Sequence, residues 1–226
     1  MESAVPQTGK VIAVYSGGLD STVMLYHLRH GKHEIKALSV DYGQRHSREL
    51  DAAIEICRKL KVEHQVVDLS SLQPLLAGSA LTSDDIEVPD GRYEDESMAI
   101  TVVPNRNMIL MSIAAGWAIS SGFEAIAYGA HSGDHAIYPD CRLDFIHAMK
   151  QALGLCHVTP VSVWSPFANL TKAQIVQYGH SLKVPFKKTW SCYQGREKHC
   201  GRCGTCQERR EAFKEAKVQD PTEYER

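Results

Sequence analysis

The sequence has no long apolar run, no strong excess of either charge and no internal repeat. Its longest apolar stretch spans only residues 108–119, which is too short for a membrane-spanning helix of about 20 residues. The N-terminus lacks the basic segment followed by an apolar one that marks a secretory signal, so we expect a cytoplasmic protein. The formal charge of −2 argues against a protein that relies on nonspecific attraction to nucleic acid.

Disulfides are not expected either. The seven cysteines are an odd number, and the cytosol keeps thiols reduced. The 226 residues are 43% hydrophobic and 23% charged, as in an ordinary globular protein that is long enough to bury a core without cross-links. The thiols are therefore expected to stay free or to bind metal.

Short apolar segments alternate with amphipathic ones along most of the chain. The apolar segments, which are typical of buried strands, are 11–15, 35–40, 66–69, 125–128 and 158–163. The amphipathic segments, which predict helices, are 21–30, 48–60, 105–121, 143–153 (ending at Gly154) and 171–180. This alternation predicts an α/β fold with a doubly wound, mostly parallel, five-stranded Rossmann-like sheet. Residues 1–186 would form this domain, and 187–226 a small appendage packed on it.

The segment 70–100 interrupts the alternation. Seven acidic residues lie between Asp84 and Glu96, so we expect a solvated, mobile loop. The alternative is a lid over a functional site, because long connections of this kind are often functional.

Ser16–Thr22, with the sequence SGGLDST, follows the first strand and opens the first helix. Its glycines let backbone N–H groups approach an anion, and the helix N-terminus adds a positive dipole end. The string is neither a Walker A loop nor a Gly-x-Gly-x-x-Gly fingerprint. It predicts a phosphate-binding loop, with tight packing of the turn as the alternative.

Other polar side chains also follow strands, where ligands of open parallel sheets bind. Arg45 offers bidentate contact to a carboxylate or phosphate. Asp134 and Asp140 are candidates to accept hydrogen bonds from an N–H edge such as that of guanine. Arg106 is a candidate for a second cationic contact, the alternative being ordinary capping of its helix by Asn105.

Four cysteines are clustered near the C-terminus, at Cys192, Cys200, Cys203 and Cys206. Four thiolates suit tetrahedral zinc, and a site closed by four sulfurs is structural. The alternatives are an iron–sulfur cluster, a redox pair of Cys203 and Cys206, or His199 in place of one sulfur.

The loop SGGLDST resembles the pyrophosphate-binding loop of the PP-loop ATP pyrophosphatase superfamily. Together with DYGQRH, VPNRN, YPDCR, TWSCY and CGRCGTC, it resembles the family of 7-cyano-7-deazaguanine synthases over about residues 11–211. The resemblance implies an adenine nucleotide alpha-hydrolase-like fold. It also implies an ATP-dependent ligase that converts 7-carboxy-7-deazaguanine and ammonia to the nitrile through an adenylated carboxylate and an adenylated amide. Mg²⁺ with ATP, one structural Zn²⁺ and a homodimer would accompany this activity.

The resemblance also implies roles for individual residues. ATP would be bound by Tyr15, Ser16, Gly17, Gly18, Leu19, Asp20, Ser21 and Thr22. Asp20, Arg45 and Arg106 would be catalytic, and Asp20 would also help to bind Mg²⁺, unless it is only a helix N-cap. The deazapurine substrate would be bound by Tyr42, Gln44, His46, Asp134, Asp140 and Trp190. Zn²⁺ would be held by Cys192, Cys200, Cys203 and Cys206.

Two other functions remain open from the sequence. A PP-loop enzyme that adds sulfur to tRNA would need RNA contacts, and the segment 187–217, with nine basic and four acidic residues, is its only support. A nucleotide-binding module stabilised by zinc and without turnover is the other alternative.

Overall fold

The structure is a computed structural model that describes residues 9–45, 47–83, 85–93 and 95–225. Five parallel strands form one sheet in the order β3-β2-β1-β4-β5. The strands are β1 Lys10–Val14, β2 Glu34–Asp41, β3 Glu63–Asp68, β4 Ala125–Ala127 and β5 Ser162–Trp164. The predicted five-stranded parallel sheet is thus confirmed. Because the strand order reverses between β1 and β4, a crevice is expected outside their carboxyl ends.

Helices cover both faces of this sheet. They are α1 Leu19–His30, α2 Arg48–Leu60, α3 Arg106–Ser121, α4 Leu143–Leu155, α5 Lys172–Ser181 and α6 Gly204–Glu215. Side chains alternate along β1, so Ile12 belongs to the core that packs α3 and α4, while Val11 and Ala13 belong to the core that packs α1, α2 and α5. In the part of the chain that the structure describes, no helix is both long enough and apolar enough to cross a bilayer.

Several element boundaries differ from the sequence prediction, among them the end of α4 and the start of β5. Helix α4 continues through Gly154 to Leu155, so the predicted stop at Gly154 is wrong. A Cβ at Gly154 would meet nothing within 4 Å, so no close packing contact requires a glycine at this position. Strand β5 begins at Ser162 because only residues 162–164 pair with β4, and Val158, which was predicted to begin this strand, is 95% exposed.

The segment 70–100 is packed, which corrects the expectation of a solvated loop. Its described residues include the 3₁₀ helices Ser70–Leu76 and Glu96–Thr101. Ala80, Leu81 and Met98 are completely buried in the core around α3. The described acidic residues of the segment are exposed, so the charge pattern alone conceals its buried part.

The C-terminal segment shares both cores of the sheet domain. Phe213 and Ala212 of α6 pack in the core that contains Val11, while the four clustered cysteines are buried in the core that contains Ile12. The division at residue 186 stays a prediction.

Candidate functional site

A cavity lies outside the carboxyl ends of β1 and β4. Its wall includes most of the residues that the sequence analysis predicts to bind ATP or the substrate or to take part in catalysis. These are Tyr15, Ser16, Gly18, Leu19, Asp20, Ser21, Tyr42, Arg106, Asp134 and Trp190. The topological argument therefore correctly indicates where the chain concentrates its polar groups.

The loop between β1 and α1 supplies one end of this cavity. Gly17 has φ of +86°, and the Oγ atom of Ser16 accepts from the backbone N–H of Gly18 (3.2 Å) and lies 3.1 Å from Oγ of Ser21. Gly18 is the N-cap of α1 and has no side chain with which to bind the first N–H groups of the helix. These donors and the helix dipole are thus directed at the cavity, as anion binding requires.

Two members of the predicted phosphate loop support it from behind. Thr22 is buried, and its hydroxyl donates to the carbonyl of Gly18 (2.7 Å) and lies 3.2 Å from the Tyr15 hydroxyl. Gly17 packs against the backbone of α2. Neither residue lines the cavity, and their contact with the nucleotide stays a prediction. Asp20 is the second residue of α1, so it is not the N-cap of that helix.

A group of buried ionisable side chains adjoins the loop. The ammonium of Lys172 lies 3.1 Å from Asp20 Oδ2 and 2.7 Å from Glu208 Oε2. Burial alone would raise the pKa of Asp20, but Lys172 and His131 outweigh this effect and hold it below its usual range. Burial raises the pKa of Glu208. Burial would lower the pKa of Lys172, but the facing carboxylates raise it above its ordinary value, so this lysine stays charged.

The contacts of His131 determine which ring nitrogen carries its proton. Its Nδ1 accepts from the backbone N–H of Gly133 (3.1 Å), so the ring proton of the neutral imidazole is on Nε2. This Nε2 lies 3.5 Å from Oδ1 of Asp134 and 3.9 Å from Oδ2 of Asp20. Asp134 also accepts from the hydroxyl of Tyr93 (2.9 Å) and from the His131 backbone N–H (3.3 Å). Both its oxygens are already engaged, and its predicted contact with a guanine edge stays a prediction.

Arg106 lies at the other end of the cavity among tyrosines. Its guanidinium is 6.0 Å from the ring centre of Tyr138, whose hydroxyl lies 3.2 Å from that of Tyr193. Burial raises the pKa of Tyr42 to about 12, partly offset by Arg106. Burial would lower the pKa of Arg106, but Tyr42, Tyr193 and other acidic groups nearby raise it well above its ordinary value. The cavity thus carries a permanent cation at this end as well.

Besides Gly17 and Thr22, three predicted site residues, Gln44, Arg45 and Asp140, are not in the cavity wall. The guanidinium of Arg45 donates to the carbonyls of Ser83 (2.7 Å) and Ile86 (3.1 Å). The amide of Gln44 bonds the Tyr42 backbone N–H (2.8 Å) and the Val40 carbonyl (3.2 Å).

Asp140 accepts from the backbone N–H of Asn107 (3.2 Å) at the start of α3, and His46 lies outside the described residues. In the structure the side chains of Arg45, Gln44 and Asp140 form hydrogen bonds with backbone groups. Their functional roles stay predictions.

Trp190 joins the loop to the cysteine cluster. Its backbone N–H donates to the carbonyl of Gly17 (3.1 Å), and its indole N–H donates to the carbonyl of Cys192 (2.8 Å). The His199 ring lies 4.3 Å from the indole, and its Nε2 accepts from the Ser191 backbone N–H (3.1 Å). His199 therefore packs beside Trp190, and the group of potential metal ligands consists of the cysteines without it.

The four cysteine sulfurs lie within 4.8 Å of one another, and all four residues are buried. Zn–S bonds of about 2.3 Å in a tetrahedron place sulfurs about 3.8 Å apart, and Sγ of Cys200 and Cys206 are 3.9 Å apart. Backbone N–H groups of Arg202 and Cys203 donate to Cys200 Sγ (3.4 and 3.3 Å), as outer hydrogen bonds to a metal-binding sulfur do. The residues present fit a single tetrahedral metal ion.

Sequence reasoning missed Lys172, Glu208, His131, Tyr93 and Tyr193. Lys172 begins the helix that follows β5, so the rule that ligands bind beyond strand ends was sufficient to nominate it. The structure shows a capping box at the start of this helix, in which the Thr171 side chain accepts from the Gln174 backbone N–H and the Gln174 side chain accepts from the Thr171 backbone N–H. Glu208 had no such signal, because it comes close to Lys172 only when α6 packs on α5.

Arg209 is completely buried and fixes the segment that carries Trp190. It donates to the hydroxyls of Thr189 (2.9 Å) and Ser191 (3.0 Å) and to the Phe186 carbonyl (2.9 Å), and it pairs with Asp220 (3.4 Å). Arg209 does not line the cavity, and these four contacts identify it as a support.

We expect Arg209→Met to lower the free energy of unfolding by about 3–5 kcal/mol, because it leaves the acidic partner buried and unpaired. Urea denaturation followed by circular dichroism measures this loss. Lys214→Met on the same helix removes the same charge from an exposed position and should change stability by less than about 0.5 kcal/mol. Equal losses in the two variants would contradict the prediction.

Comparisons with known proteins agree on the family. The family model described as "Queuosine biosynthesis protein QueC" matches residues 10–217. The chain is 53% identical to the 7-cyano-7-deazaguanine synthase of Alteromonas mediterranea over 216 residues, which cover 95% of this chain and 98% of the relative. It is 50% identical to 7-cyano-7-deazaguanine synthase 1 of Colwellia psychrerythraea, with 96% of this chain and 99% of the relative covered.

Solved structures are similar in fold at low sequence identity. The NMN synthetase of Francisella tularensis gives a TM-score of 0.52 at 14% identity, covering 95% of this chain and 79% of that one. The U34-tRNA thiolase NcsA of Methanococcus maripaludis, with its [4Fe-4S] cluster, gives 0.52 at 17% identity, covering 82% and 61%. These two support the α/β architecture only. The match over residues 10–217, together with about 50% identity over nearly the whole chain, shows that this protein belongs to the QueC family of queuosine biosynthesis proteins.

Proposed function

We propose that this chain converts 7-carboxy-7-deazaguanine and ammonia to 7-cyano-7-deazaguanine at the expense of two ATP molecules. The observation that carries the proposal is the single cavity with an uncapped helix N-terminus and Lys172 at one end and Arg106 at the other. A nucleotide and an anionic substrate can occupy such a cavity together. The names of the curated relatives point to the same reaction.

The reaction needs activation twice. A carboxylate is a poor electrophile, so its oxygen first attacks the α-phosphorus of ATP and pyrophosphate leaves. Ammonia then displaces AMP and loses a proton, which gives the amide. In the second round the amide oxygen attacks a new ATP, pyrophosphate leaves again, and loss of AMP and of the two nitrogen protons gives the nitrile. Both rounds transfer the same nucleotide to an oxygen on the same carbon, so one loop serves both.

In this proposal the chain acts by positioning and by charge. The first N–H groups of α1 and the hydroxyls of Ser16 and Ser21 hold the departing pyrophosphate, and Lys172 balances its charge. Arg106 holds the substrate carboxylate beside the α-phosphorus. Trp190 and Tyr42 are the candidates to stack on the deazapurine. No covalent nucleophile is required of the protein.

Two metals are part of the proposal. Asp20 Oδ1 is buried and has no hydrogen-bond partner among the described residues, which fits a carboxylate oxygen that binds Mg²⁺. Mg²⁺ supplies charge compensation for the triphosphate when it is bound. Cys192, Cys200, Cys203 and Cys206 would hold one structural Zn²⁺.

The proposed function is tested by mass spectrometry of the purified protein with ATP, Mg²⁺, ammonium and 7-carboxy-7-deazaguanine. The expected products are the nitrile and AMP, with two AMP per nitrile. Accumulation of the amide alone would limit the activity to the first round. Absence of both products from folded, metal-loaded protein would refute the proposal and direct attention to tRNA substrates.

The role of Arg106 makes a second test possible, since only the first-round substrate is a carboxylate. We expect Arg106→Gln to raise the KM for the acid by about 10–100-fold, because charge-assisted hydrogen bonds contribute about 1.5–3 kcal/mol. The KM for the neutral amide, supplied directly as substrate, should change only a few-fold. Steady-state kinetics on the two substrates measures this difference.

Arg142→Gln is the matched control, because Arg142 is exposed and its guanidinium donates to the His135 carbonyl (2.8 Å) away from the cavity wall. It should leave both KM values unchanged. An Arg106→Gln variant that is impaired equally on acid and amide would show that Arg106 does not bind the carboxylate.

The finer expectations from the sequence belong to the same proposal. They are a homodimer in the cytoplasm, with ammonia as a substrate and no nucleic acid partner. Light scattering coupled to gel filtration determines the oligomeric state, and the product analysis above with ammonium as the only nitrogen source tests the donor.

A further inference from the structure

We propose that Glu208 is a positioning residue through which helix α6 of the cysteine-rich segment sets the place of Lys172 at the nucleotide end of the cavity. This inference rests on the proposed function, because it assumes that ATP occupies that end. Nothing in the sequence motifs assigns Glu208 a role, and it does not line the cavity itself. Its carboxylate contacts Lys172 (2.7 Å) and lies 3.9 Å from Nε2 of His131.

The contacts around Lys172 carry the argument. The lysine lines the cavity, and its ammonium is held from behind by Glu208 Oε2 (2.7 Å) and Asp20 Oδ2 (3.1 Å). The third neighbour, His131 Nε2 at 3.5 Å, is not available as an acceptor, because His131 Nδ1 accepts from the Gly133 backbone N–H and the ring proton is therefore on Nε2. Two of the three ammonium hydrogens are therefore used, and the third is available for an anion in the cavity.

Glu208 keeps the lysine from pairing with Asp20 alone. Lys172 and Glu208 are each largely buried, so their contact is geometrically defined rather than a fluctuating surface pair. Without the Glu208 charge, the nearest remaining anion for the ammonium is Asp20. Movement toward Asp20 draws the ammonium away from the phosphates and covers the carboxylate that we propose for Mg²⁺.

The position of Glu208 in turn depends on the cysteine cluster. It lies on α6, whose N-cap is Cys203 and whose first turn contains Cys206. Helix α6 packs along α5, which begins at Lys172. The cysteine-rich segment thus lines part of the cavity through Trp190 and also, through Glu208, contacts the lysine at the nucleotide end.

The test uses binding of a nonhydrolysable ATP analogue, α,β-methylene-ATP with Mg²⁺, by titration calorimetry of the metal-loaded protein. We expect Glu208→Gln to weaken binding about 10-fold, the amount associated with one charge-assisted hydrogen bond. Simple electrostatics predicts the opposite sign, since the substitution removes a negative charge near the triphosphate. Unchanged or tighter binding by Glu208→Gln would overturn the proposal.

A double-mutant cycle separates positioning from a general structural effect. Lys172→Met weakens binding by itself, and adding Glu208→Gln to it should cause no further loss, because the group to be positioned is gone. A further 10-fold loss in the double variant would show that Glu208 does not act through Lys172. Metal content is measured for every variant, so that loss of the ion is not mistaken for loss of the contact.

Two more variants complete the design. Glu208→Asp keeps the charge but shortens the side chain by one methylene, and it should bind more weakly than the parent but more tightly than Glu208→Gln. It also serves if the Gln variant fails to fold, and parent-like binding by Glu208→Asp would then overturn the proposal. Glu211→Gln makes the same charge change at an exposed position of α6 and should bind like the parent. Binding of the analogue requires no turnover, so the outcome is independent of the reaction.

Discussion

Gly17→Ala is expected to reduce nitrile synthesis by at least about 100-fold. Gly17 has φ of +86°, which an L side chain rarely adopts, and a Cβ there would lie 2.1 Å from the carbonyl oxygen of Glu49 and 2.8 Å from the backbone nitrogen of Ala53. Both obstacles are backbone atoms of α2, so they cannot rotate away as a side chain does. The loop must shift, and misplacement of a bound reactant by about 1 Å can cost 100-fold in rate.

The measurement is steady-state formation of AMP and nitrile, with circular dichroism to verify that the variant is folded. Gly116→Ala is a matched control, because a Cβ at that helical position meets nothing within 4 Å. It should keep full activity and gain up to about 1 kcal/mol of stability from helix propensity. Full activity of Gly17→Ala would show that the loop does not hold the nucleotide in the geometry described here.

Removal of the metal from the cysteine cluster is expected to have the second large effect. A structural zinc ion contributes about 10–16 kcal/mol of apparent binding free energy in zinc-finger peptides, whereas a whole domain is stable by about 5–15 kcal/mol. Cys203→Ser removes one of four buried ligands at the start of α6. We expect loss of the ion, a large decrease in the free energy of unfolding and loss of nitrile synthesis.

Elemental analysis measures the metal, and denaturant unfolding measures stability. The purified protein should contain about one zinc per chain and no visible absorption, whereas an iron–sulfur cluster would be coloured. Cys156→Ser is the control, because Cys156 is exposed and lies outside the cluster. Full metal content and stability in Cys203→Ser would mean that the cysteines do not hold a structural ion.

A chelator provides an independent check on the coupling between the two ends of the molecule. Because Trp190 bonds the carbonyls of both Gly17 and Cys192, loss of the ion should also disturb the phosphate loop. Weaker binding of the ATP analogue to the chelated protein, restored by added zinc, is therefore expected to accompany the loss of stability.

The fold and two parts of the candidate site followed from local sequence signals. Short apolar runs predict the buried strands. The glycines and hydroxyls that predict the phosphate loop lie within a single turn, from Ser16 to Thr22. The spacing of the three cysteines from Cys200 to Cys206 similarly predicts a metal-binding turn. Each of these signals is complete within a few residues, because backbone conformation and turn chemistry are set locally.

Other features depended on contacts between distant parts of the chain. The sequence suggested that Arg45 binds a carboxylate or phosphate. In the structure its guanidinium donates to the carbonyls of Ser83 and Ile86, in the segment that follows β3. That segment in turn looked solvated, because its charges are evident in the sequence while the burial of Leu81 and Met98 is not.

The sequence by itself determined the strand–helix alternation, the phosphate loop and the cysteine cluster. Only the tertiary structure decided that Lys172 and Glu208, 36 positions apart, form an ion pair beside Asp20, and that Lys172 lines the same cavity as Arg106. The physical reason is that the local signals arise from backbone geometry over one or two turns. The charge arrangement of the site arises instead from how α5 and α6 pack, which no window of sequence contains.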